Sequence, residues 1–303
     1  LFLTRQAVFL KGSMLKSVMV LLRLQQWLKN LFVLAPAFFA GSFLEVEVVR
    51  ESLLTFLCFS ALASSVYVYN DWIDRIADSS HPEKSKRPLA SGAISGRTAF
   101  FTGIFVLLFS FFIGFAFLNH QVLTVAGIYL VLNLAYTLNL KKIAILDVSC
   151  IAVGFVLRLL AGSVATGIEL SSWIITLTFL LALFLALAKR RDDVVREQRG
   201  EERTRSSIKG YNLGFLDQAM TIMGSVVIVA YLQYCHAADR TIPIISSKLY
   251  LTAAFVVIGL LRYMQLALVE ERSGNPTRIL IEDRFTQMNL LIWGGFFAWM
   301  LYG

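Results

Sequence analysis

Apolar residues gather along this chain into nine runs separated by shorter polar stretches. The runs are Trp27–Leu44, Leu53–Tyr69, Ala99–Leu118, Val122–Leu140, Ile145–Val164, Trp173–Ala188, Leu216–Tyr234, Leu249–Leu268 and Phe285–Leu301. Most approach the roughly 20 residues that a helix needs to cross a hydrocarbon layer about 30 Å thick. The first is the weakest: its strictly apolar part begins at Leu31, and Pro36 lies inside it. Ahead of it, Lys11, Lys16 and Arg23 alternate with Met14, Leu15, Val18, Met19 and Leu22. That pattern predicts a basic amphipathic segment at the membrane surface, so 1–26 reads as a cytoplasmic or interfacial N-terminal segment. The pattern predicts an all-α polytopic membrane protein of nine transmembrane helices, with 1–303 as a single integral-membrane domain. The longest polar loops are expected at 70–97, 189–214 and 269–284.

Composition agrees. Of 303 residues, 57% are hydrophobic and 16% charged, and the mean hydropathy is +0.68. Soluble domains average about 45–50% apolar and about 25% charged residues. Cys58, Cys150 and Cys235 lie in apolar stretches without metal-ligand spacing, which argues against structural zinc. The net charge of +8 might suggest nucleic acid, but placing the charges removes that reading. Of 28 Lys and Arg, 24 fall on the side that holds the N-terminus. This positive-inside bias predicts a multi-pass protein of the bacterial inner membrane, with the N-terminus cytoplasmic and the C-terminus outside. The bilayer is the expected partner, nucleic acid is not, and the oligomeric state is open.

Chemistry is therefore sought on the cytoplasmic face. Asn70-Asp71-Trp72-Ile73-Asp74-Arg75-Ile76-Ala77-Asp78 leaves the second run. If the helix continues two turns, Asp71, Asp74 and Asp78 share one face. Three carboxylates there repel unless a cation stands among them. Mg²⁺ suits this role, since it binds through one or two carboxylates plus substrate phosphates. Arg75 alone would make the bland alternative, a solvated helix end. Next come His81-Pro82-Glu83-Lys84-Ser85-Lys86-Arg87-Pro88, whose cations suit the oxygens of a metal–polyphosphate complex. Lys86 is plainly explained by topology, and His81 reads as a turn or capping residue.

Lys189-Arg190-Arg191-Asp192-Asp193 leaves the sixth run in the same way and is a candidate second half of the site. The dense charge run from Arg196 to Lys209 reads as solvated or facing lipid headgroups. Tyr136, Lys141, Lys142 and Asp147 cluster between the fourth and fifth runs. Arg158 lies three turns deeper, where an unpaired guanidinium costs roughly 2.5–3.5 kcal/mol or more. It therefore needs a carboxylate or a bound phosphate as partner. No Walker loop, dinucleotide fingerprint, HExxH or Ser/His/Asp arrangement is present.

Several motifs carry a resemblance to a known family. They are Gln26-Trp27-Leu28-Lys29-Asn30, the Asn70–Asp78 motif, and His81-Pro82 with Lys84, Arg87-Pro88 and Gly92. Tyr136 with Lys141 and Asp147, Gly154–Arg158 with Ala161-Gly162, Lys189-Arg190, and Gly274–Thr277 with Asp283-Arg284 complete the set. In these the chain resembles the UbiA superfamily of intramembrane prenyltransferases, and within it the decaprenyl-phosphate phosphoribosyltransferase branch. It departs from that pattern at Leu24, where proline is usual, at Arg191, where tyrosine is usual, and at Asp193, where glutamate is usual.

The resemblance implies a UbiA-like bundle with cytoplasmic catalytic loops. It also implies Mg²⁺-dependent transfer of 5-phosphoribose from phosphoribosyl diphosphate to a polyprenyl phosphate, releasing diphosphate. Asp71, Asp74 and Asp78, with Asp193, are then the expected metal ligands, and Asn70 an orienting group. Lys84 and Arg87 are expected on the donor phosphates. Lys29, Asn30, Tyr136, Lys141, Arg158, Lys189 and Arg190 are shared, undivided, between the ribose 5-phosphate and the lipid phosphate. The product would feed cell-wall biosynthesis. Two other readings compete. An aromatic polyprenyltransferase would carry two full aspartate-rich motifs, whereas the second motif here is rich in Lys and Arg. A transporter would place its charges near the bilayer midplane, often with inverted repeats.

Overall fold

The computed structural model describes residues 14–80, 84–200, 206–241, 248–272, 274 and 276–302. His81, Pro82, Glu83 and Asn275 lie outside the described residues. All regular structure in the described residues is helical. The chain opens with α1 (Met14–Leu21), a 3₁₀ stretch (Leu24–Leu34) and α2 (Ala35–Phe39). The long helices follow: α3 (Val46–Ser79), α4 (Gly96–Phe117), α5 (His120–Leu138), α6 (Leu146–Thr166), α7 (Ser172–Gln198) and α8 (Leu213–Thr241). The last three are α9 (Ala253–Leu268), α10 (Pro276–Glu282) and α11 (Arg284–Tyr302).

Among the described residues, seven helical segments are long and apolar enough to cross a membrane. The start of the chain adds an eighth if Met14–Leu21 and Leu24–Phe39, bent by 43° at the break, count as one broken span. The break falls at Arg23, which adopts the left-handed conformation, φ 51°. Where the sequence predicts a surface segment followed by a span from Trp27, the structure has a bent pair. The final run forms the 19-residue α11, which is not among the seven. The protein is a multi-pass membrane protein.

Two expected loops, 70–97 and 189–214, begin as continuations of the preceding helices, to Ser79 and to Gln198. α3 runs 34 residues, which at 1.5 Å per residue is roughly 50 Å, well beyond the apolar layer. Its last turns carry the aspartates. Likewise α7 continues unbroken to Gln198 and carries Lys189–Asp193. No proline or glycine interrupts either stretch, so the polar residues simply extend the helix.

Neighbours in sequence pack together: α3 on α4, α5 on α6, α6 on α7 and α7 on α8. One core joins Phe184, Leu216, Met220, Leu260 and Leu266 across α7, α8 and α9. Another joins Val33, Phe59, Tyr129, Leu157 and Ala161 around α3, α5 and α6. Along α4, by contrast, Phe101, Phe105, Phe112 and Phe115 stay exposed, as a lipid-facing helix demands. One contact fixes the entry of the chain: a Cβ on Gly162 would lie 2.0 Å from the Val33 carbonyl oxygen. Only glycine lets the 3₁₀ stretch settle on α6.

Candidate functional site

Each aspartate of α3 faces a cation. Arg23 Nη2 reaches Asp71 Oδ1 at 2.5 Å, and Arg87 Nη1 reaches the same oxygen at 3.1 Å. The same Arg87 nitrogen donates to Asp78 Oδ2 at 2.6 Å. Lys141 Nζ lies 2.9 Å from both oxygens of Asp74 and 3.4 Å from Asn70 Oδ1. Asp71 and Asp78 are buried, while Asp74 is partly open. Lys84 sits one turn from Arg87, whose N–H donates to the Lys84 carbonyl at 2.9 Å.

Among the described residues no three His, Cys, Asp or Glu side chains stand together as a metal cluster. Asp71 and Asp78 nevertheless converge on one nitrogen, and their oxygens are hard donors of the kind Mg²⁺ takes. The donor set fits that ion, with a guanidinium now standing between the two carboxylates. Asp193 does not join them; it accepts from Arg190 Nη1 at 2.5 Å.

Arg190 forms the second half of the constellation, and it is buried to 1% exposure. Its Nε donates to Asp147 Oδ2 at 2.6 Å. Asp147 Oδ1 accepts from Tyr211 Oη at 2.6 Å and from the Val148 N–H at 2.9 Å. Tyr211 Oη in turn accepts from the Ile145 N–H at 2.7 Å. Burial and the bond to Asp147 push the Tyr211 phenol above its ordinary pKa, so it stays a neutral donor. Tyr136 lies within electrostatic reach of Arg190. Lys189, beside it on α7, is half-buried. The connection from Asn139 to Asp147 thus touches both halves: Lys141 reaches Asp74, and Asp147 anchors Arg190.

Arg158 is 5% exposed and donates only to neutral groups among the described residues. Its Nε donates to Asn30 Oδ1 at 2.6 Å, Nη1 to the Gly154 carbonyl at 2.7 Å and Nη2 to Tyr129 Oη at 2.7 Å. Asn30 is itself fully buried and donates to Ser60 Oγ at 3.0 Å, so it brackets Arg158. Trp27, read from sequence as part of the family motif, ties the same stretch to α3 through Ser64 Oγ at 3.0 Å. Arg191, which replaces the usual tyrosine, bonds Asp217 at 2.6 Å and the Ala267 carbonyl at 2.8 Å, joining α7 to α8 and α9.

Sequence reasoning missed Arg23, Tyr129 and Tyr211. Arg23 was counted only as an interfacial cation, although it immediately precedes the Leu24 departure. The two tyrosines carry no local signal, because their partners lie 29 and 64 residues away.

The model of the family described as the UbiA prenyltransferase family matches residues 30–293. The chain belongs to the UbiA prenyltransferase family. It is 30% identical over 290 residues to the decaprenyl-phosphate phosphoribosyltransferase of Mycolicibacterium smegmatis, covering 92% of this chain and 91% of that one. The protein of the same description from Corynebacterium glutamicum is 30% identical over 278 residues, 90% of this chain and 82% of its own. Among solved structures, a UbiA homolog from Archaeoglobus fulgidus bound to DMAPP and Mg²⁺ superposes with a TM-score of 0.70. That match is 19% identical and covers 94% of this chain and 97% of the other, which establishes a shared UbiA fold.

Proposed function

We propose that this UbiA-family protein transfers 5-phosphoribose from phosphoribosyl diphosphate to a polyprenyl phosphate and releases diphosphate. The reaction is Mg²⁺-dependent and takes place at the cytoplasmic face of a bacterial inner membrane that the chain crosses nine times. One observation carries the reading: every aspartate of the first motif is ringed by cations, through Arg23, Arg87 and Lys141. A donor bearing both a diphosphate and a 5-phosphate needs charged hydrogen-bond donors of this kind around its metal site. The likeness to the mycobacterial and corynebacterial enzymes, over 92% and 90% of this chain, supports the same donor.

Asp71, Asp74 and Asp78 would hold the ion, whose charge would stabilise the departing diphosphate. The chain's own groups do the rest. Arg23, Arg87 and Lys141 turn from the carboxylates to the phosphate oxygens as the donor enters. Asn70, already within reach of Lys141, orients the sugar. An oxygen of the lipid phosphate attacks C1 of the ribose, the C1–O bond to diphosphate breaks, and its electron pair leaves with the diphosphate. The attacking oxygen is already ionised, so no protein base is required. Lys189 and Arg190 help fix the second half of the site, Arg190 by pinning Asp147.

Purified protein given Mg²⁺, labelled phosphoribosyl diphosphate and polyprenyl phosphates of several lengths is expected to form a phosphoribosyl lipid. Asp74→Ala is expected to abolish it. Failure with every lipid, alongside turnover of an aromatic acid with a prenyl diphosphate, would place the protein with the aromatic polyprenyltransferases instead.

A further inference from the structure

From sequence, Arg158 requires either a carboxylate or a bound phosphate as partner. Among the described residues no carboxylate reaches it: its three recorded acceptors are an amide oxygen, a backbone carbonyl and a phenol. The rings of Tyr129 and Phe155 lie 4.8 and 5.5 Å from its guanidinium carbon and offset part of the charge. A second cation compounds the deficit. Lys29, next to the bracketing Asn30, interacts electrostatically with Arg158. It is half-buried and has no hydrogen bond or ion pair among the described residues. A buried and a half-buried cation side by side without an acid leave one partner of the dichotomy, an anion.

We propose that Lys29 and Arg158 form a site for a single phosphate monoester, and that its occupant is the phosphate head of the polyprenyl acceptor. The inference rests on the transferase reading above and divides the cations which that reading left shared. Three features select this occupant. No acidic side chain contributes, so the site needs no metal; Lys29 also interacts with Arg23, which bonds Asp71, so the site borders the Asp71–Asp74–Asp78 face, where a diphosphate and its ion belong, without using its carboxylates. It is also deep: Arg158 lies eleven residues along α6 from Asp147, about 16 Å of helix rise. Phe155, Tyr129 and Phe59 surround this depth, a setting that a lipid tail tolerates and a free sugar phosphate does not. Finally, the guanidinium is held in advance. Three of its five N–H groups are committed to fixed acceptors, leaving two to point at a ligand.

The test needs no turnover. Wild-type protein in detergent, with EDTA and without donor, is titrated with farnesyl phosphate and with farnesol by calorimetry. The phosphate is expected to bind at least about ten-fold tighter than the alcohol, a difference of about 1.4 kcal/mol. Lys29→Gln, which breaks no recorded bond, is expected to erase most of that preference while its unfolding midpoint stays unchanged. Arg158→Lys keeps the charge but loses the fork, and is expected to reduce the preference partially. Adding Mg²⁺ or millimolar ribose 5-phosphate is expected to leave farnesyl phosphate binding unchanged. A preference that survives in both variants, that requires Mg²⁺, or that ribose 5-phosphate abolishes overturns the proposal. Absence of the preference in the wild type does the same. A protein that passes this titration yet makes no phosphoribosyl lipid would overturn the transferase reading alone.

Discussion

Ile145 is a β-branched residue held at φ 69°, ψ −48°, near the dihedrals of the strained form of the γ-turn. Such a conformation costs of order 1–3 kcal/mol and persists only where its surroundings over-determine it. Here the surroundings are known: its N–H donates to Tyr211, which is fixed by Asp147, which is fixed by Arg190. Four residues earlier on the same connection, Lys141 reaches Asp74. Tyr211→Phe removes one hydroxyl and leaves both the Ile145 N–H and Asp147 Oδ1 short of a partner. The variant is expected to lose about 1–3 kcal/mol of stability, measured by thermal unfolding. Amide exchange at Ile145 is expected to accelerate, and an unchanged exchange rate would contradict this role for Tyr211. At this scale the sequence was half legible. The aspartates announce themselves by spacing, because i, i+3 and i+7 are geometric facts of one helix. The groups that pin Asp71 and Asp147, Arg23 and Tyr211, belong to chain segments 48 and 64 residues from their partners, and no local pattern encodes that.

Helix ends are where the elements differ most from a plain reading of hydropathy. Apolar runs mark the membrane layer and not the helix, so α3 and α7 outlast their runs and carry both charged motifs on rigid rods. The first ten residues of the polar stretches at 70 and 189 are helical because no proline or glycine stops a helix there. α11 begins the opposite way, with a sharp cap. Asp283 Oδ2 accepts from the Thr286 N–H at 2.9 Å and from its hydroxyl at 2.6 Å, while Arg262 on α9 approaches Oδ1 at 2.7 Å. The hydrogen bonds from Arg262 hold the Asp283 carboxyl well below the usual carboxylate range. A depressed carboxyl contributes stability above its unfolded value, near 3.9, and loses it as pH falls through the folded one. Asp283→Ala is therefore expected to lower the unfolding midpoint at pH 7, by the roughly 0.5–2 kcal/mol of a lost cap. The gap to the wild type is expected to hold down to about pH 5 and to narrow only in stronger acid. A gap that widens on acidification would contradict the assignment.

For the molecule as a whole, the proposed orientation rests on the asymmetry of charge. Both charged helix extensions, the Lys84–Arg87 turn and the Asn139–Asp147 connection belong to the side rich in Lys and Arg, whereas the α4–α5 turn is plain. A single cysteine introduced at Lys86 is expected to react with an impermeant thiol reagent only in inside-out vesicles. One at His120 is expected to react only in right-side-out vesicles. The wild-type chain serves as the blank, since Cys58 and Cys235 are buried and Cys150 is half-buried. Labelling of both positions from one side would reverse the topology argued from the basic residues. The fold class was readable because a bilayer imposes one rule on every span. The bend at Arg23 was not, because it depends on how the chain entrance seats against α6 at Gly162.

The pairing of every aspartate with its own cation has one more consequence. On the reading proposed above, the resting site is an ion exchanger already loaded with internal counterions: the carboxylates would pass to the metal and the cations to the donor phosphates. Such an exchange leaves affinity far less sensitive to ionic strength than docking onto a bare cationic patch, where screening within a Debye length of about 8 Å governs capture.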